Sequence, residues 1–106
     1  MAFISLKKTG LDQAAGAQIF DLEGWEGSFQ HQLQIDVSET PTAGTLAVHV
    51  RTPGAADYVL LDSAIDMSST ALIATFEAFA DSIKIVPDSF DGGKTYDAYL
   101  MTSDKK

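Results

Sequence analysis

The residues best able to do chemistry in this chain are two histidines, His31 and His49, because imidazole is the usual base and metal ligand near neutral pH. His31 follows the apolar side of an alternating run and His49 the polar side of another. If the two runs pair as one hairpin, the rings point to opposite faces of the sheet and cannot share a metal or a proton. One part-buried and one surface histidine is the simpler reading. Among the acids, Asp88-Ser89-Phe90-Asp91-Gly92-Gly93 is the best local cluster for calcium. It lacks the spacing of an EF-hand loop, and a turn that uses Asp and Gly for their backbone tolerance accounts for it equally well. Spatial carboxylate pairs of the glycosidase kind leave no trace in sequence, and 15 acids would form some pairs by chance. The chain has no serine-centred elbow, glycine-rich phosphate loop, His-Glu-x-x-His pair or basic-aromatic stripe. No catalytic residue, metal site or cofactor is therefore assigned, and an enzyme is not expected.

The aromatics Trp25, Tyr58, Tyr96 and Tyr99 raise a different chemistry, since exposed rings stack on sugars in carbohydrate-binding sandwiches. Tyr96 and Tyr99 are separated by an odd number of residues, so a regular strand sends one inward and one outward. A platform from that strand alone is not expected. Trp25 reads first as a cap on the core and second as a recognition ring.

Stepping from side chains to the elements that hold them, Ser28–Arg51 carries the clearest pattern. Phe29, His31, Leu33, Ile35 and Val37 alternate with Ser28, Gln30, Gln32, Gln34 and Asp36; Leu46, Val48 and Val50 alternate with Ala47, His49 and Arg51. A period of two with one apolar side marks half-buried strands. The polar stretch 38–44, with Pro41 and Gly44, reads as the loop of one antiparallel pair. That register sets Val37 against Leu46 and Leu33 against Val50, and gathers Gln30, Gln32, Gln34, His49 and Arg51 on the outer face. On an acidic chain this neutral-to-basic face is the expected docking surface.

Further strands are expected at Phe3–Lys8, Ala17–Leu22, Asp57–Ser63 with 64–68 as a short continuation, Asp81–Pro87 and Lys94–Thr102. Leu11–Gly16 reads as a loop or single helical turn, and Ser89–Gly93 as a hairpin connection. The consecutive Val59, Leu60 and Leu61 imply burial on both faces or a bulge. Residues 69–80 admit two readings. Leu72, Ile73, Phe76, Phe79, Ala80 and Ile83 fall at helical spacing, whereas β-branched Thr70, Ile73 and Thr75 favour a strand. The strand is taken, with one helix near 70–80 as the alternative. About eight short strands with frequent turns predict an all-β chain, a single antiparallel β-sandwich or jelly roll over 1–106, with flexible ends at 1–2 and 103–106.

Composition bounds the function classes. The chain has 106 residues, no cysteine and a formal charge of −8. Residues 9–104 hold all 15 acids against only Arg51, Lys84 and Lys94, a balance of −12. Such a surface repels nucleic acid and anionic membranes, so neither is expected as a partner. Met1–Lys8 lacks the basic-then-apolar order of a signal peptide, and no apolar run approaches the length of a membrane span.

Gly44–Gly54, then Ala64-Ile65-Asp66-Met67, then Ala80–Pro87 resemble small β-sandwich virion proteins of tailed bacteriophages, the similarity running over about residues 28–101. These are accessory proteins: capsid decoration or cement proteins, and head or tail fibre components. The resemblance implies a non-enzymatic structural protein, made in the host cytoplasm and carried in the virion. It would form homo-oligomers such as trimers and stabilise capsid or tail proteins through subunit contacts. No site residue is carried over from it. A carbohydrate-binding module is the alternative.

Overall fold

In the computed structural model, which describes residues 3–22, 28–38, 44–67, 71–90 and 94–103, every expected strand is present. They are β1 (Phe3–Leu11), β2 (Gln18–Asp21), β3 (Ser28–Val37), β4 (Thr45–Arg51), β5 (Val59–Asp66), β6 (Ala71–Ala80), β7 (Ser82–Asp88) and β8 (Tyr96–Ser103). A one-turn 3₁₀ helix, Gln13–Ala15, follows β1, its Asp12 carboxylate accepting the Ala15 amide at 2.8 Å. Trp25, the loop tip 39–43, Asp91, Gly92 and Gly93 of the calcium reading and the end residues 104–106 lie outside the described residues.

The strands form two antiparallel four-stranded sheets, ordered β1-β8-β3-β6 and β2-β7-β4-β5. Chain-adjacent strands switch sheets at every step except β4 to β5, which pair in one sheet, the pattern of an eight-stranded jelly roll. The proposed β3–β4 hairpin is therefore corrected. β3 pairs with β8 and β6, and β4 pairs with β7 and β5. β7 and β8 likewise lie in different sheets, so they do not form the expected hairpin. A period of two reports which side of a strand meets the core, and that part holds. Leu33, Ile35, Leu46 and Val48 are fully buried and Val37 nearly so. It does not report the neighbour, because strands of both sheets face the same core.

Phe20, Ile83, Ile85, Tyr96, Ala98 and Leu100 complete the interior. Each buried large side chain contributes about 1.5–3 kcal/mol relative to exposure. Residues 71–80 are a strand, not a helix. Leu72, Ala74 and Phe76 turn inward, while Ile73, Thr75 and Glu77 pair outward with Gln34, Gln32 and Gln30. The apolar run in β5 is bulged, not doubly buried. Leu60 and Asp62 pair with the adjacent residues His49 and Val48, leaving Leu61 as the extra residue. A second bulge lies between Asp62 and Ile65. Ser103, expected in a flexible end, is 3% exposed and pairs with Phe3.

Two clasps close the sandwich. Asp81 alone separates β6 in one sheet from β7 in the other. Its amide donates to the Arg51 carbonyl at 2.9 Å, its carbonyl accepts the Leu22 amide at 3.0 Å, and its carboxylate accepts Arg51 Nε at 3.0 Å. The Gln13 side chain grips the β7–β8 crossing, donating to the Pro87 carbonyl at 3.1 Å and accepting the Phe90 amide at 2.8 Å.

Candidate functional site

The five residues expected on one docking face lie on two. Gln30, Gln32 and Gln34 alternate outward from β3, whereas His49 and Arg51 alternate outward from β4 in the opposite sheet. The sandwich core separates the two groups, so the composite face does not exist.

On the outer face of the β2-β7-β4-β5 sheet, Arg51 is tied to its neighbours, its side chain 35% exposed. Besides its Asp81 bond, its guanidinium lies 5.3 Å from the Tyr58 ring centroid, and Lys84 Nζ stands 4.8 Å from the same centroid. The Tyr58 hydroxyl shares a 2.8 Å hydrogen bond with the Ser82 hydroxyl, which donates in turn to Asp81. This network pins the sheet-switching corner; it does not present a free cation. His49 lies between Lys84 on β7 and Leu60 on β5. Burial, with the nearby Lys84 charge, lowers its pKa below 6.5. Its Nδ1 has no hydrogen-bond partner among the described residues.

His31 is 3% exposed and points inward from β3. Its Nε2–H donates to the Ala78 carbonyl at 2.9 Å, its Nδ1 meets the Thr102 hydroxyl, and its ring lies 5.1 Å from that of Phe76. A carbonyl only accepts, so Nε2 carries the proton of that bond. The two histidines thus sit in different sheets. Among the described residues no three His, Asp or Glu side chains converge as a metal site.

Tyr96 faces the core and Tyr99 faces out, as their odd separation requires. Burial raises the Tyr96 phenol to about 12, and its hydroxyl has no partner among the described residues.

No protein-family model and no curated protein matches this chain. The geometry must therefore carry the functional reading, and the sheet edges distinguish themselves. An edge strand exposes a row of backbone N–H and C=O groups, and proteins guard such rows against stray pairing. β1 is guarded by Lys7 and Lys8 and by an irregularity between Lys8 and Leu11. β2 is only four residues long. β5 carries two bulges. β6 has no lysine or proline, and its one irregularity, an extra residue between Glu77 and Ala80, leaves Ala71–Glu77 regular. It runs ten residues, Ala-Leu-Ile-Ala-Thr-Phe-Glu-Ala-Phe-Ala, in unbroken register with β3 from Gln30 to Asp36. Its one charge, Glu77, accepts a hydrogen bond from Gln30 at 3.3 Å. Ile73 on β6 is 61% exposed, and Val59 at the start of β5 is 67% exposed. The four residues joining β5 to β6 span at most about 17 Å, so both edges lie on one side of the sandwich. Sequence reading found β6 as a strand but had no means of telling an edge from a centre.

Proposed function

We propose that this chain is a non-enzymatic structural protein that works by joining subunits, of the capsid-decoration or head/tail accessory kind found in tailed phages. The observation that carries the reading is the Ala71–Glu77 part of the β6 edge, regular in its pairing and free of lysine and proline. A regular stretch of edge with a single charge is an aggregation hazard in a free monomer and an asset in an assembly. The jelly roll is also a fold used by viral capsid domains, although a fold by itself does not assign a role.

The occupant proposed for this edge is β6 of a second copy, paired antiparallel about a two-fold axis. Both copies then use the same strand, which is the isologous arrangement. Two sheets ordered β1-β8-β3-β6 would join into one of eight strands. Because each copy carries −8, association opposes charge repulsion and strengthens as salt screens it. Sedimentation velocity over a concentration series at low and high salt tests this. Reversible association that tightens with salt supports the reading. A chain that remains monomeric at millimolar concentration in high salt overturns it.

A further inference from the structure

From the outer face of the β1-β8-β3-β6 sheet we infer a second function, carried by side chains of that face and not by the β6 backbone edge: a binding trough for a neutral, linear oligosaccharide. Two depressions open side by side on this face, of about 590 and 360 Å³. Gln32 and Met101 line both, so the depressions form one continuous trough across the sheet. Their volumes lie within the range of about 300–1,000 Å³ typical of small-ligand sites.

The strand register places the lining in two rows. One runs Ser5, Met101, Gln32, Thr75, and the next runs Lys7, Tyr99, Gln34, Ile73. Alternate residues along a strand stand about 6.8 Å apart, so Gln30, Gln32 and Gln34 form a ladder about 14 Å long. Each primary amide offers donors and an acceptor at a fixed separation, which suits hydroxyl groups that both donate and accept. Gln30 and Gln34 are steadied by Glu77 and Asp36, at 3.3 and 3.1 Å. Those bonds use the amide NH₂ groups and leave both carbonyl oxygens to accept. The Gln32 amide, at the junction of the two depressions, has no side-chain partner among the described residues. Met101, 44% exposed, and the outward ring of Tyr99 add apolar surface for the C–H face of a sugar.

Charge separates this ligand class from the others. Among the described residues Lys7 is the one cation lining the trough and Glu77 the one carboxylate, a balance that does not hold a nucleic acid strand. Amide and hydroxyl groups flanking a sulfur and a phenol ring, with one charge of each sign, fit a neutral polyol.

The test is a ¹H–¹⁵N NMR titration of the intact chain with cello-, malto-, xylo- and chito-oligosaccharides at millimolar concentration. Expected are saturable shifts in the Gln30, Gln32 and Gln34 side-chain amides and in the Tyr99–Met101 backbone with at least one sugar. Gln32→Ala, an exposed change that leaves the core intact, should weaken that binding about tenfold, and Arg51→Gln on the opposite sheet should leave it unchanged. No shift with any of the four series overturns the inference. So do shifts confined to the other sheet, or a Gln32→Ala variant that binds as well as the parent. Binding by a chain that stays monomeric would support the trough while refuting the assembly reading, so the two fail separately.

Discussion

Replacing Ile73 with Lys gives the unguarded edge the device that β1 already has. Ile73 is 61% exposed, so only about two-fifths of its side chain contributes to the fold. At about 2.5 kcal/mol for a fully buried isoleucine, Ile73→Lys should lower folding stability by about 1 kcal/mol. The lysine stem, which still covers apolar surface, recovers part of that. The effect on association is larger because both copies carry the change. Edge pairing that buries about 1 kcal/mol of Ile73 surface per copy loses about 2 kcal/mol per pair. That weakens the dimer about thirtyfold. Sedimentation velocity gives the association constant, and urea denaturation of the same samples gives the stability. If Ile73→Lys folds normally and associates as tightly as the parent, the β6 edge is not the contact and the reasoning fails.

Three other changes test the fold that supports this edge. Tyr96→Phe removes a buried hydroxyl that has no partner among the described residues, and should leave stability unchanged or raise it by about 1 kcal/mol in urea denaturation. Gly44→Ala should destabilise by about 2 kcal/mol or more. Gly44 sits at φ +135°, where a Cβ would stand 3.0 Å from Phe90 Cα, and thermal melts would show the loss. His49 titrates below 6.5 in the fold, so the unfolded chain binds its proton first. Its contribution is then constant above neutral pH and is lost as pH falls below 6.5 toward the lower folded value. His49→Gln should flatten that part of the pH–stability curve measured by urea midpoints; an unchanged slope would refute the assignment.

The alternation in β3, β4, β6 and β8 made the core legible, since burial follows period two wherever one face of a strand is dry. The strand reading of 69–80, taken on its β-branched residues, also holds over the described Ala71–Ala80. Helical spacing would have put Ile73 and Phe79 in the interior, yet they are 61% and 57% exposed. Pairing was not legible. Val37 and Leu46 both reach the core, but from opposite sheets, and nothing in their alternation distinguishes that from a hairpin. The expected docking face failed for the same reason, since it was built on that pairing. Arg51 looked like a free cation because Asp81, its partner, lies 30 residues away and is brought close only at the sheet-switching corner. The Gln13 clasp spans 74 residues and was equally hidden. What remains of the expected face, the three glutamines of β3, is the part that depended on one strand alone.

The most direct test of the assembly account is hydrogen exchange along β6. Alternate amides of an edge strand point away from its neighbour and exchange freely until another strand covers them. Exchange of the 71–80 segment, compared between dilute and concentrated samples at high salt, should slow at those outward amides while β1 and β2 stay unchanged. Exchange in β6 that is indifferent to concentration, while the protein associates through some other surface, would contradict the account.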